Sequence, residues 1–471
     1  MDSDGQSRRQ VRDRDRISSL PDDLLHDILV RLRSTPAAAR TSLLSRRWRH
    51  VWTQLPEIVL DELAADSVDA ALAANMAPTL SRLAISEPST PVGAGRFLEC
   101  ARVAAWLRVA SQRLAGKLSV DLPEGGVRVE EELVLPPMER VTEIWFWAEN
   151  ILRPPPAGSS FPALRSVDIT DARMEARDME ECFGSSRCPR LQALSLRRVS
   201  LVTMSDVSIR SETLERLFFN GRNVSRLEVV APRLELLRAP KILGSRDFLV
   251  PGRVVAPRLA DVAWYGTYDP RHHQFVGAGR HLRKRLVVQI PMAALMQRFD
   301  TVDELSLRLA IPDGVRGYES FLEATHRLAK CDAIQVFLDT RKHAYAPSVL
   351  HVLRKSTGLR KLVVPLPPMT LGSKSYPCWS PCPCCCPESY KNDNFALDSL
   401  QEVVIMDFRG LPHHVEFLTL FLGCNAAVLR NVTINMSADA PVVSEEIFQK
   451  IRSFAPPNVH VAFSVSSRHT L

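Results

Sequence analysis

The chain has 471 residues, too many for one compact core and enough for two to four folding units. Its 45% hydrophobic and 24% charged content is ordinary for a globular protein, and 58 leucines against 7% aromatics favour a leucine-spaced architecture over an aromatic-rich sandwich. No window holds eighteen uninterrupted apolar residues, which excludes a helical membrane span, and the arginine-rich start is no secretory signal. Its ten cysteines are therefore expected as reduced thiols in the cytoplasm or nucleus. The net charge is +7, of which residues 270–299 alone carry +6: Arg271, Arg280, Arg283, Lys284, Arg285 and Arg298, with no carboxylate. A nucleic-acid binder shows a broader basic face, so nucleic acid is not an expected partner.

Residues 1–16 are polar and nearly balanced in sign, with too little apolar surface to offset ordering entropy, and read as a disordered tail. From Ile17 the texture changes. Pro21 suits the first position of a helix, Asp22 and Asp23 complement its positive end, and Leu24, Leu25, Ile28, Leu29 and Leu32 recur at helical spacing. Thr35 is the expected N-cap of a second helix with Pro36 in its first turn. Ser45 is the expected cap of a third, with Trp48, Val51 and Trp52 on one face and Arg46, Arg47 and Arg49 outward. Three short helices in about forty residues bury little area, so the unit should lean on a neighbour or a partner.

The opening Leu20-Pro21-Asp22-Asp23-Leu24-Leu25, the pair Ile28-Leu29 and the block Leu43-Leu44-Ser45-Arg46-Arg47-Trp48-Arg49 resemble the F-box, and Val51-Trp52 followed by Leu55-Pro56 resembles its plant version. The resemblance covers residues 17–56, under a tenth of the chain.

Past Pro56 the period changes. Ile58-Val59-Leu60 reads as a strand and residues 63–115 as mostly helical, with Val103, Trp106, Leu107, Ala110 and Leu114 on one face. Then an apolar-x-x-apolar-x-apolar strand keeps returning: Val141/Ile144/Phe146, Leu164/Val167/Ile169, Leu191/Leu194/Leu196, Leu214/Leu217/Phe219, Leu234/Leu237/Ala239 and Leu259/Val262/Trp264. These six start 23, 27, 23, 20 and 25 residues apart, the spacing of leucine-rich repeats. Val302/Leu305/Leu307, Leu359/Leu362/Val364 and a weaker Ile334/Val336/Leu338 continue them. Ala172 and Val199 stand where the usual repeat has Asn or Cys, so the turns are expected to rely on water or irregular hydrogen bonds. The fold class is α+β or α/β: a small N-terminal three-helix F-box (17–56), then an irregular leucine-rich-repeat solenoid (57–364) built on a parallel strand ladder.

Proline and cysteine crowd residues 365–394, which read as a long loop or a separate ordered turn. Leu400/Val403/Ile405 and Leu429/Val432/Ile434 then resume the strands around an apolar-periodic helix, His413 to Leu422. This stretch (395–440), with Asp407-Phe408-Arg409-Gly410 after its first strand, resembles the FBD domain found at the C-terminal end of plant F-box proteins with leucine-rich repeats. Residues 441–471 form a C-terminal segment.

No conventional catalytic motif is present: there is no Gly-x-Ser-x-Gly, no His-Glu-x-x-His and no kinase signature. The two Gly-Ala-Gly stretches at Gly93 and Gly277 lack the continuation of a phosphate cradle, and His272-His273 beside Asp269 reads as polar surface. Among Cys378, Cys382, Cys384, Cys385 and Cys386 only the first two have chelating spacing, and His413 and His414 join them only if the loop folds back, so no structural metal and no cofactor is expected. The basic window reads as a solvated loop or edge strand, with Arg283-Lys284-Arg285 as an import signal or acidic-partner dock, and charge reversal there is expected to leave folding intact.

The resemblance implies a non-catalytic substrate receptor of an SCF-type ubiquitin ligase. Its F-box would bind a Skp-type adaptor, and through it a cullin, by Leu20, Pro21, Leu24, Ile28, Leu29, Leu43 and Trp48, some of which must instead hold the three helices together. The repeats would hold a target protein that the sequence does not identify. The alternatives are a nucleic-acid-associated regulator and an F-box protein that engages the adaptor without promoting ubiquitination.

Overall fold

The computed structural model describes residues 20–88, 98–122, 131–239, 250–265, 268–289, 293–340, 343–366, 382–385, 397–423, 426–437 and 443–465. The tail 1–16, most of the Pro/Cys-rich loop (Cys378 and Cys386 included), the Gly93 stretch and the last six residues lie outside them. The chain forms two compact units, residues 1–203 and 204–471. Among the described residues no helix is long and apolar enough to cross a membrane.

The first unit opens with helix α1 (Asp22–Arg31), α2 (Thr35–Arg40) and α3 (Trp48–Val51). Leu25 and Leu29, one turn apart on α1, meet Ala38, Trp48, Val51 and Leu55 in a closed apolar cluster. Pro21 sits just outside α1 rather than inside it, its carbonyl accepting the N–H groups of Leu24 and Leu25. The cap of α2 is Ser34, not Thr35: Ser34 is extended and its hydroxyl accepts from Ala37 N at 3.3 Å. Thr35 is released for another role, its Oγ1 accepting from Val59 N at 2.8 Å across to the first strand. Ser45 caps nothing, since α3 is preceded directly by helical Arg47.

The strands that follow, β1 (Glu57–Leu60), β2 (Leu80–Ser86), β3 (Leu114–Asp121), β5 (Glu143–Trp147), β7 (Ser166–Thr170) and β9 (Ala193–Arg210), pair in parallel, each with the next. Their register stacks Ile58, Leu83, Leu118, Ile144, Val167 and Leu194 in one column, and every member is buried. The region read as mostly helical contains β2 between α4 (Ala65–Ala74) and α5 (Cys100–Arg113). Leu80, Leu83 and Ile85 there carry the same apolar spacing as the later strands.

Later coils return differently. A helix advances about 1.5 Å per residue and a strand about 3.3 Å, so an extended return leg spans the same distance in fewer residues. A second parallel ladder forms accordingly: β4 (Glu132–Val134), β6 (Ile151–Arg153), β8 (Arg173–Met174) and the far half of β9. No apolar period in the sequence marks these short strands. The turns are also more regular than expected. Ala172 and Val199 point into the core, and the corner amides continue the ladder: Leu122 N donates to Trp147 O, Ala148 N to Thr170 O, Asp171 N to Arg197 O and Ser200 N to Ala172 O. Asp171 and Arg198 take the left-handed conformation at consecutive corners (φ 64° and 50°) and pair at 2.6 Å.

The second unit repeats this logic. The near half of β10 (Arg216–Val230) leads through β11 (Leu236–Ala239), β13 (Asp261–Trp264), β15 (His281–Gln289), β16 (Thr301–Ala310), β17 (Lys330–Asp339), β18 (Lys361–Pro365), β19 (Glu402–Phe408), β20 (Asn431–Met436) and β21 (His460–Val465), all in parallel register. Leu217, Leu237, Val262, Leu286, Leu305, Ile334, Leu362, Val403 and Val432 form its buried column. The far half of β10 pairs with β12 (Gly252–Val255), and β12 with β14 (His273–Val276), as return strands. Later returns are helical: α7 (Ala293–Arg298), α8 (Val315–Ala324), α9 (Tyr345–Arg354), Pro412–Leu422 and Glu445–Phe454.

The centre of the basic window, His281–Gln289, is neither loop nor sheet edge, because β15 lies between β13 and β16. Its missing carboxylates come from other coils. Arg285 faces its register partner Asp261 (3.3 Å), Lys284 reaches Glu235 (2.9 Å), His281 meets Asp303 (3.0 Å) and Arg280 meets Asp300 (2.6 Å). Arg298 donates to the carbonyls of Phe275, Ala278 and Gly279. His273 is also not surface: it is buried, stacked on Tyr268 at 5.3 Å and edge-on to Trp264, with Nε2 2.9 Å from Val250 O. Burial holds its pKa below the usual histidine value. Charge reversal in this window is thus not neutral. Arg285→Glu would set a second carboxylate against Asp261, whose side chain is 10% exposed, and should cost on the order of 2 kcal/mol. Exposed Arg283→Glu should leave the urea midpoint within error, and equal midpoints for the two variants would refute the distinction.

Candidate functional site: the N-terminal helical module

An interior that is complete leaves the rest of its apolar residues available to a partner. Leu25, Leu29, Trp48, Val51 and Leu55 close the module's own core. Leu24, Ile28 and Leu32 then stand on the outer side of α1 at i, i+4 and i+8, exposed by 48%, 40% and 46%. Leu43 and Leu44, in the turn between α2 and α3, are exposed by 87% and 69%. Of the eleven large apolar residues exposed among the described residues, these five fall within twenty-one positions. Scattered single apolar residues need no explanation, but such a concentration on so small a module marks a docking surface.

The residues that the resemblance implies for adaptor binding divide accordingly. Pro21, Leu24, Ile28 and Leu43 are exposed, and Leu20 is half-buried against the core. Leu29 and Trp48 are interior, 2% and 3% exposed, because the three helices are too short to close around anything smaller. Two apolar side chains outside that set, Leu32 and Leu44, belong to the exposed group. Arg47 does not simply point outward as the sequence analysis had it. Its guanidinium donates to Asp22 Oδ1 (2.5 and 3.0 Å) and to Leu20 O (2.5 Å), tying the start of α3 to the start of α1. His26 Nε2 adds a contact to Val51 O at 3.1 Å.

The module is fastened to the first coil by more than the chain. Besides Thr35 to Val59, Met76 N donates to Thr53 O (2.7 Å), Asn75 Nδ2 to Leu55 O (3.1 Å) and Ser81 N to Pro56 O (2.7 Å). Asn75 also accepts from Arg113, which donates to Ala77 O as well.

Two further places in the second unit have the geometry of sites. The C-terminal ends of β15 to β19 surround a cavity of about 430 Å³ lined by Gln289, Arg308, Phe337, Asp339, Leu366 and Asp407. Crevices beyond strand ends are where parallel sheets offer backbone and side chains together. The Arg308 guanidinium lies 4.9 Å over the Phe337 ring. The other place is a buried cluster of His343, Cys382 and Cys384, whose ligand atoms lie within 4.8 Å of one another. The expectation of no metal rested on spacings inside the cysteine stretch and on His413 and His414. The structure brings in His343 instead, while His414 is buried on its own helix with Nδ1 accepting from Arg409 N. Elsewhere thiols are core: burial pushes Cys182, Cys188 and Cys331 up to about 12, so they stay protonated at neutral pH.

A helical module with an unsatisfied apolar surface, hydrogen-bonded onto a solenoid of parallel strands, defines an interaction protein of the repeat class. The comparisons are more particular. The F-box domain family matches residues 17–59, and the family described as "FBD-associated F-box protein At5g56370, LRR repeats" matches residues 103–308. Three curated proteins from Arabidopsis thaliana are similar. F-box/LRR-repeat protein 25 is 25% identical over 254 residues, 51% of this chain and 91% of that protein. F-box/FBD/LRR-repeat protein At5g56420 is 30% identical over 220 residues, 43% of this chain and 49% of the relative. F-box/LRR-repeat protein At5g02910 is 48% identical over 69 residues, 14% of this chain and 15% of the relative. The chain is thus similar at its N-terminus to F-box domains and over residues 103–308 to the leucine-rich repeats of FBD-associated F-box proteins.

Core and surface of the module separate by mutation. Trp48→Ala should unfold the three helices, costing about 3–5 kcal/mol, whereas Leu43→Ala should leave their stability unchanged. Amide exchange of residues 22–55 by mass spectrometry reads both, and an equal loss of protection in the two variants would show Leu43 to be structural.

Proposed function

We propose that the chain is the substrate-recognition subunit of an SCF-type ubiquitin ligase. Its F-box holds a Skp-type adaptor and through it a cullin, and its repeats hold the protein to be ubiquitinated. The observation that carries this reading is the exposed apolar group Leu24, Ile28, Leu32, Leu43 and Leu44 on a module whose core is complete without it. Covering one leucine is worth roughly 1.5–3 kcal/mol, so a partner that buries several gains enough for a stable complex. Leu20 and Pro21, beside the Arg47 clamp, set where that surface begins.

The receptor makes and breaks no bond in this reading. It raises the local concentration of target lysines near the conjugating enzyme, so positioning is its whole contribution. The strand-end cavity with Arg308, Phe337 and Asp339 offers a place in the second unit to grip a target segment. Residues 395–440 are taken as an FBD-like segment continuing the repeats, and the place of action as the cytoplasm, the nucleus or both.

The test pairs purified Skp-type adaptor with the full chain and with a Leu24→Ala/Ile28→Ala/Leu43→Ala variant. Adaptor affinity should fall tenfold or more, equivalent to about 1.4 kcal/mol, with an unchanged circular dichroism spectrum. Undiminished capture would remove these residues from the contact, and no capture by the unaltered chain would remove the adaptor. Capture without ubiquitination of any bound protein in a reconstituted ligase would leave an adaptor-binding protein that is not a receptor.

A further inference from the structure

The cysteine-rich stretch has poor chelating spacing of its own, but the fold delivers a histidine to it from some forty residues upstream. Cys382 and Cys384 flank Pro383 at a short turn, Pro383–Cys385, that packs against α8. His343 stands just before α9. All three side chains are buried, Cys382 at 0% exposed, Cys384 at 1% and His343 at 5%. His343 Nε2 lies 2.8 Å from Pro312 O. A carbonyl oxygen only accepts, so Nε2 carries the proton and Nδ1 presents a lone pair. That lone pair meets the two sulfurs: Nδ1 is 3.4 Å from Cys384 Sγ and 3.6 Å from Cys382 Sγ, and the sulfurs are 3.2 Å apart.

We propose that His343 Nδ1, Cys382 Sγ and Cys384 Sγ form a structural zinc site that pins the middle of the cysteine-rich stretch to the solenoid. Three features of the cluster support it. With zinc–sulfur bonds near 2.3 Å and zinc–nitrogen bonds near 2.0–2.1 Å, a tetrahedral site places nitrogen and sulfur roughly 3.5 Å apart, which the two observed distances bracket. The sulfurs need only open by about half an ångström, a small rotation at each Cβ, to reach the tetrahedral spacing of roughly 3.7 Å. Charge also balances: two thiolates and one neutral imidazole cancel a dication, so no net charge is buried. The third feature is the carbonyl of Pro312, which fixes the tautomer and ring orientation as the outer partners of zinc-bound histidines do.

Binding changes no oxidation state. Zinc displaces the two thiol protons to solvent, the sulfurs become thiolate ligands, and the imidazole donates its lone pair without losing a proton. The fourth coordination position is left to water or one further donor.

Full-length protein, purified under reducing conditions from zinc-supplied cells, should hold one zinc per chain after exhaustive dialysis. The metal-free protein should take up one equivalent of Co²⁺ with a thiolate-to-cobalt charge-transfer band, and zinc should protect Cys382 and Cys384 from alkylation, as mapped by mass spectrometry. His343→Gln and Cys382→Ser/Cys384→Ser variants should each lose the band. The alkylation map decides the case even if a variant misfolds, because it is read on the unaltered chain. Absence of the cobalt band from the reduced unaltered protein would overturn the proposal. So would zinc that leaves Cys382 and Cys384 open to alkylation, or zinc retained by the double-serine variant.

Discussion

Each inner strand within a unit has its backbone partners in the coils before and after it, not in its own coil. A single coil therefore has nowhere to put its N–H and C=O groups, and burial without a partner costs more than any one coil gains. This constraint makes the pieces of a unit interdependent. It requires one apolar residue per coil at the same register, which is why the column from Ile58 to Leu194 has no polar member. It also admits an extended return leg that pairs with the legs of neighbouring coils, as at Ile151–Arg153.

The same constraint governs charge. Sequence neighbours in a strand point alternately in and out, and an outward residue has its nearest lateral neighbours one coil away. Arg285 is flanked in sequence by Lys284 and Leu286, yet its register partner is Asp261. Counting charge along the chain made residues 270–299 look like a solvated basic run. Counting across coils pairs Arg280 with Asp300, Lys284 with Glu235 and Arg285 with Asp261, so half of the apparent excess becomes cross-coil pairing. His273 was misread for a similar reason, because Trp264, one of the two rings packed on it, comes from the preceding strand β13.

What could be read beforehand was whatever repeats or clusters locally. The apolar spacing found the strands at Ile144, Val167, Leu194, Leu217, Leu237 and Val262, and the F-box pattern found its three helices. Leu80, Leu83 and Ile85 carry the same spacing but were lost between two helical stretches, while the separate return strands are two to four residues long and too short for any period to show. Within the module, helical spacing identified one apolar face on α1 but could not divide it. Leu29 goes inward and Ile28 outward because of where Trp48 and Ala38 arrive, which is a tertiary fact. His343 and the cysteines lie some forty residues apart, beyond any spacing rule.

The bonds between the helical module and the first coil have a mechanical meaning. Thr35 to Val59, Met76 to Thr53 and Asn75 to Leu55 leave no slack between them, so the module is the solenoid's first storey rather than a bead on a string. A tethered domain samples a sphere, and the effective concentration of whatever it carries falls with the length of the tether. Here the docking ridge and the first coils share one rigid frame. Cargo seated on those coils would be offered to a docked partner at a set distance and from a set side, so moving the cargo by one coil would bring a different set of its lysines within reach.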